Sequence, residues 1–428
     1  MKPTYSIEEL LFFAALYAFV GWAVEVCLIA ITERRFSNRG FLSLPVKPSF
    51  GITAVILLLT LPALEGNAAM QLLMCVAVTE TVRRFSELFA RGVGDERMKR
   101  ALVGRRRIIA RLVLLALTGS VYYLLYLIVH PVIYGVVLLL PDGLVSAVAI
   151  GLAVLIALDF ITVRYALYSA PSRKIKEETN RLADRMGDAI WKRLERAYPG
   201  ADEPQDLLDG SHTFARGLCL DKLIWVFLIS SFLGALIEMA YCYLTGGGLI
   251  NRSSVLYGPF SFVWGFGAVV LTVTLQRFTG REDRYTFIAG FVVGGAYECL
   301  CSVFTELVFG TVFWDYSHMT LSLAGGRTNV VYCVFWGILS VVWVKILYPM
   351  MTRGIERIPP LAGKIVTWTI VVIMACNGLL TAAAMVRYTE RQTGHPVRSE
   401  IQLLLDRHYD DAYMQARWPN MVIAQPAE

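Results

Sequence analysis

Charge and histidine are scarce in this chain. Only 17% of its 428 residues are Asp, Glu, Lys or Arg, and the five histidines (130, 212, 318, 395 and 408) are scattered. Scattered histidines argue against a metal centre, so no metal and no cofactor is expected. No P-loop and no nucleophile elbow occurs. Glycine runs such as Gly290-x-x-x-Gly294-Gly295 and Gly265-x-Gly267 have no strand before them and read as close helix packing rather than nucleotide loops. A hydrolytic or phosphotransfer enzyme is hard to build from these parts, and none is expected. The eight cysteines (27, 75, 219, 242, 299, 301, 333 and 376) form no Cys-x-x-Cys motif and fall in or beside apolar segments, as packing residues do. The start of the chain lacks a charged leader and a small-residue cleavage site, so the first span is expected to be retained.

Apolar sequence is what the chain has in quantity: 56% hydrophobic residues and a mean hydropathy of +0.55. That composition predicts an all-α polytopic membrane protein. Windows of spanning length fall near 8–32, 46–65, 67–91, 108–130 and 144–168, then near 219–245, 255–278, 284–311, 328–349 and 363–387. The two sets of five are copies. Gly21, Glu25, Asn38 and Arg39 return as Gly234, Glu238, Asn251 and Arg252 at one constant offset. Glu80, Gly119 and the His130-Pro131 pair return as Glu298, Gly337 and Tyr348-Pro349, and Val163-Arg164-Tyr165 returns as Val386-Arg387-Tyr388. Each Pro pair is expected to stop the fourth span. The apolar segments after them, Val132–Leu140 and Met350–Ile358, are too short to cross and read as interfacial or re-entrant.

The expected organisation is a first five-span repeat at 1–168, a cytoplasmic amphipathic helix and linker at 169–217, a second repeat at 218–388 and an amphipathic C-terminal tail at 389–428. The tails carry matching apolar stripes: Ile175, Leu182, Met186, Ile190 and Leu194, then Val397, Ile401, Leu405, His408 and Met414. Each is read as lying on the membrane or packed on the bundle. An odd number of spans per copy turns the second copy over, and the loop charges agree. Basic residues crowd the first and third loops of copy one but the second and fourth of copy two. The positive-inside rule then puts both termini outside and 170–217 in the cytoplasm of an inner (plasma) membrane protein. Inverted repeats are the plan of many secondary transporters, with the site near the midplane.

Ionised side chains at the bilayer centre cost roughly 2.5–3.5 kcal/mol each on insertion scales, so those present need a partner or a role. Glu25 and Glu238 lie deep in the first spans, Glu80 and Glu298 midway along the third, and Asp159 in the fifth span of copy one. In copy one, Arg84 stands at helical spacing from both Glu80 and Glu87, which predicts an internal ion pair. Copy two has Ser302 and Thr305 there instead. Glu298 must then be protonated, paired across helices or facing a polar cavity. Asn38-Arg39 and Asn251-Arg252 read as a turn with a headgroup anchor, or as cations reaching inward to the nearby Glu. Trp314, Asp315 and Tyr316 open an outer loop closed by Gly325-Gly326-Arg327. They read as interfacial anchors, a gate or a substrate lip.

Gly-Trp-x-x-Glu at 21–25, Asn-Arg-Gly-Phe at 38–41, Tyr-Gly-Pro at 257–259, Tyr-Glu at 297–298 and Trp-Asp-Tyr-Ser at 314–317 carry a family resemblance. With them the chain resembles a bacterial family of ABC-transporter permeases, type IV (CmpB-like), in two tandem copies. Copy one has Ser43-Leu44-Pro45 in place of Tyr-Gly-Pro and lacks Trp-Asp-Tyr-Ser. The resemblance implies a permease and an ATPase partner, for which the basic 92–107 loop and the 173–197 helix are candidate contacts. The leading expectation is a transporter moving a small solute or ion past Glu25, Glu80, Glu238, Glu298, Asn38, Arg39, Asn251 and Arg252. The alternatives are a non-transporting scaffold or accessory subunit docking a partner through 170–217, and a lipid-handling protein. A nucleic-acid partner is not expected.

Overall fold

The computed structural model describes residues 5–33, 42–89, 116–169, 213–245, 248, 250–278, 280, 282–397 and 399–423. It is an all-α polytopic membrane protein in two compact units, Met1–Ser211 and His212–Glu428. Among the described residues, seven helices are long and apolar enough to cross a membrane.

In the first unit, helix α1 (Ile7–Glu33) opens on a capping box. The Ser6 hydroxyl accepts from Glu9 N at 3.1 Å and the Glu9 carboxylate accepts from Ser6 N at 2.7 Å, which satisfies two amides that the helix cannot. Helix α2 (Pro48–Thr60) begins on a proline and ends in a 3-10 turn. Helix α3 is Ala68–Phe89, α4 is Ala116–Val137 and α5 is Asp142–Ser169. Helices α1, α2, α4 and α5 share a core of Phe13, Tyr17, Ala54, Leu58, Val137 and Val145.

The second unit repeats the plan with α6 (Leu220–Leu244), α7 (Phe262–Leu275), α8 (Asp283–Phe309), α9 (Val330–Ile355) and α10 (Pro360–Gln392). Gly310, at φ 63°, ends α8 in the left-handed conformation that glycine adopts without penalty. Asn329 starts α9 by accepting from Val331 N at 2.8 Å. Between them lie β1 (Thr311–Val312), β2 (Ser322–Leu323) and β3 (Thr328–Asn329), the last two forming a hairpin. Two short helices, α11 (Glu400–His408) and α12 (Asp411–Arg417), and strand β4 (Val422–Ile423) complete the unit, β4 pairing antiparallel with β1.

Two expectations about the spans change. The second apolar window of each copy yields a helix shorter than the window: Pro48–Leu64, counting the 3-10 turn that ends α2, and Phe262–Leu275 (α7), which runs on into a 3-10 turn at Gln276–Phe278. Each is about 27 Å long, close to a hydrocarbon core of about 30 Å. In copy two the reason is local, since Gly258 at φ 79° and Pro259 hold residues 254–260 out of the helix. The Pro131 and Pro349 stops are also overturned. Each fourth helix runs through its proline by widening into a π turn just before it, Leu125–Val129 in α4 and Trp343–Leu347 in α9. His130 N donates to Leu125 O and Tyr348 N to Trp343 O, five residues back. The wider turn admits a proline ring that an α-turn would press against a carbonyl. Val132–Leu140 and Met350–Ile358 are therefore largely continuations of these helices, not separate interfacial segments.

Glycines set how closely helices approach. A Cβ on Gly290 would sit 2.1 Å from Ser340 Oγ, on Gly294 2.4 Å from the Trp336 ring, and on Gly295 2.5 Å from Cys333 Sγ. The glycine run is thus the face on which α8 packs along α9.

The tail packs on the second unit rather than lying apart from it. Leu405, Tyr409, Met414 and Trp418 are buried with Leu256, Ala384, Met385 and Tyr388. Of the five stripe residues, Leu405 and Met414 face inward, while Val397, Ile401 and His408 are exposed. The broken helix resets the phase at Tyr409, so a single 3.6-residue period does not run through the segment. The first-copy tail, 170–212, lies outside the described residues.

Candidate functional site

The recurring Gly-x-x-x-Glu motif makes the same local structure in both units. A Cβ on Gly21 would fall 2.2 Å from the Phe50 ring, and one on Gly234 2.3 Å from the Trp264 ring. Each glycine is a notch that seats an aromatic ring of the short second helix one turn from the carboxylate. The carboxylates then find different cations. Lys47 Nζ stands 2.6 Å from Glu25 Oε2, whereas Arg252 Nη2 stands 3.4 Å from Glu238 Oε1. Lys47 was visible in sequence only as a loop charge, because nothing in its spacing ties it to Glu25.

Asn251 and Arg252 divide the two roles expected of them. The Asn251 side chain accepts from Ser253 N at 3.0 Å, forming the turn, and Arg252 reaches inward to Glu238. Their copy-one counterparts, Asn38 and Arg39, lie outside the described residues. Glu80 is 8% exposed and held by Arg83 and Arg84: Arg83 Nη2 donates to Oε2 at 2.7 Å and Arg84 Nε to Oε1 at 3.0 Å. The Glu87 side chain lies outside the described residues. Asp159 Oδ2 accepts the Leu44 amide at 3.0 Å, fastening α5 to the loop before α2.

Among the described residues, no cation pairs with Glu298. The residue is 9% exposed, and hydroxyls from the α8–α9 loop complete it: Tyr316 donates to Oε1 at 3.0 Å and Thr328 to Oε2 at 2.7 Å. The loop is built to deliver that tyrosine. Asp315 accepts from Ser317 N at 2.8 Å and Ser317 Oγ at 2.8 Å, and Tyr316 N donates to Gly326 O at 2.8 Å. Gly326, at φ 90°, brings its backbone so close that a Cβ would lie 2.3 Å from Asp315 Oδ1. The Ser317 amide and hydroxyl hold the Asp315 carboxyl below its ordinary range. Trp314 donates to Arg327 O at 3.1 Å, while Arg327 pairs with Glu306 and donates to Ser302 Oγ at 3.3 Å.

Tyr316 hydrogen-bonds Glu298 and feels the charge of Glu238 only as its weakest influence. Burial first, then the charge of Glu298 and its hydrogen bond, then Tyr332 and Glu238 push its hydroxyl far above the ordinary tyrosine range. Its ring stacks on Tyr332 with centroids 4.5 Å apart. The hydroxyl stays protonated and can serve as a neutral donor between Glu298 and its surroundings. Sequence reasoning named Tyr316 as an anchor, gate or lip residue without tying it to Glu298, and missed Thr328; neither carries a periodicity that points at Glu298.

The Tyr-Gly-Pro loop is held from two sides. Asn377 of α10 accepts from Tyr257 N at 3.2 Å and donates to Tyr257 O at 2.8 Å. From the tail, Trp418 Nε1 donates to Ser253 O at 2.7 Å, Arg417 Nε donates to Val255 O at 3.1 Å, and Tyr257 and Tyr409 share a hydroxyl contact of 2.8 Å. This loop begins one residue after Arg252, so the tail helps fix where that guanidinium starts.

Two tandem helical units carrying apolar helices long enough to cross a membrane define a duplicated multi-pass membrane protein. The chain belongs to the family described as Putative ABC-transporter type IV, whose sequence model matches residues 10–163 and 225–382, one match in each copy. No curated protein and no solved structure matches the chain.

Proposed function

We propose that the chain is an inner-membrane permease whose working polar site lies in the second repeat, around Glu238, Arg252, Glu298, Tyr316 and Thr328. The observation that carries this reading is the contrast between the third-span carboxylates. Glu80 is neutralised by two arginines of its own helix, which makes it a fixed structural pair. Glu298 rests on two neutral hydroxyls of a connecting loop, and such a carboxylate can take up a proton or cation when the loop moves. Tyr316 and Thr328 then act as a gate, closed in the conformation described. On the loop charges, the two repeats insert with opposite orientation and both termini face outward. An ATPase would dock on the cytoplasmic segments 92–107 or 173–197. The test is proton and potassium flux into proteoliposomes, read with pH- and potassium-sensitive dyes. Wild-type flux abolished by Glu298→Gln and by Glu238→Gln, with melting behaviour retained, supports the reading. Wild-type vesicles as tight as protein-free ones refute it.

A non-transporting accessory subunit is the second reading. The observation favouring it is that Glu25, Glu80, Glu238, Glu298 and Glu306 each already meet a partner within the protein. Under this reading the same Gln variants lose stability and no flux exists to lose.

A further inference from the structure

Corresponding positions of the two repeats differ beside the π turns. In the second unit Trp343 opens the π turn, is 6% exposed, and donates its indole N–H to Thr272 Oγ1 at 2.9 Å, filling the space between α9 and α7. The duplication aligns Trp343 with Leu125, Thr272 with Leu58 and Tyr348 with His130. Leu125, Leu58 and His130 all line an open cavity of about 170 Å³ in the first unit. Copy one is hollow where copy two holds an indole.

The chemistry of the hollow is apolar. Its histidine is already satisfied, Tyr5 OH lying 2.8 Å from Nε2 and Tyr17 OH 3.0 Å from Nδ1, so it offers an incoming polar group nothing. A cavity of about 150 Å³ with leucine-like walls elsewhere stays dry and takes up benzene or xenon, so an empty space of this size favours a hydrocarbon guest over water. Its rim includes Val24 of α1 and Val121 of α4, 51% and 54% exposed on helices apolar enough to span. In a bilayer the molecule outside such a rim is hydrocarbon.

We propose that this cavity is a lipid-chain site: the end of a phospholipid acyl chain inserts between α1 and α4 and occupies the space that Trp343 fills in the second repeat. This goes beyond the permease reading and does not depend on it. Both repeats carry the π turn, so what leaves the space open in copy one is a leucine at 125 where copy two has Trp343.

The experiment reconstitutes the full chain in nanodiscs of phosphatidylcholine carrying a photoreactive diazirine at the acyl terminus, with cross-links located by peptide mass spectrometry. Labelling is expected at Tyr122 and Leu58 in wild type and lost in Leu125→Trp, which transplants the copy-two residue, while labels on the outer helix faces persist. Leu58→Phe narrows the cavity from the opposite wall and should give the same loss, covering the case in which Leu125→Trp fails to fold. A wild-type protein labelled only on its outer faces overturns the proposal. So does cavity labelling that survives both filled variants.

Discussion

Replacing Asp406 with Asn puts the docking of the tail on the second unit to a quantitative test. Asp406 stands at the centre of a charged cluster. Arg387 donates to it twice, Nε at 3.0 Å and Nη2 at 2.9 Å, and Arg391 Nη1 donates at 2.5 Å. The Arg387 side chain is only 4% exposed and that of Asp406 19%. Removing one partner of a buried pair costs about 3–5 kcal/mol, since the other charge stays buried. Glu390 still contacts Arg387 at 3.0 Å and Asp411 still holds Arg391 at 2.7 Å, which lowers the expected loss to about 2–3 kcal/mol. Arg387 first, then Arg391, hold the Asp406 carboxyl below its ordinary range. A lowered acid contributes stability that is complete above the ordinary Asp value of about 3.9 and is lost as pH falls through the folded value. Wild type should therefore lose this increment of tail docking progressively as pH falls below about 3.9 and through the lowered folded value, and the Asn variant should have lost it already at pH 7. Thermal melting in detergent from pH 3 to 8, with limited proteolysis between residues 393 and 411, reads both effects. Equal melting at pH 7 with an unchanged proteolysis pattern would refute the docking energetics.

Gly234→Ala forces a methyl into the Trp264 ring and should cost about 1–3 kcal/mol, as should Gly21→Ala against Phe50, both read from melting temperature. Tyr316→Phe and Thr328→Val each remove one donor from Glu298 and should each cost about 1.5–3 kcal/mol, the double variant showing non-additive coupling in a thermodynamic cycle. Trp343→Leu gives the second unit the hollow of the first and should destabilise it by about 2–4 kcal/mol in chemical denaturation.

The helical, duplicated plan was legible in sequence because a 20-residue apolar window and a constant offset are both local signals. The glycine faces were legible for the same reason. What escaped came from contacts between distant residues. Lys47 meets Glu25 across 22 positions and Thr328 meets Glu298 across 30, and no periodicity announces either. The π turns escaped because a proline reads as a stop unless the turn before it widens, and that widening is decided by packing. Residues 255–260 looked like the start of a span because they are largely apolar. Their backbone polar groups are met instead by Ser253, Asn377, Thr381 and Arg417, side chains that are mostly remote in sequence.

The central claim is that the two third-span carboxylates have parted in role. Its most direct measurement compares Glu298→Gln with Glu80→Gln in the same proteoliposome assay, each variant first checked by melting. The account predicts that Glu298→Gln removes proton or potassium flux with little loss of stability, whereas Glu80→Gln lowers the melting temperature and leaves the flux per folded molecule intact. Equal effects of the two variants on flux, or flux lost through Glu80→Gln alone, would contradict it.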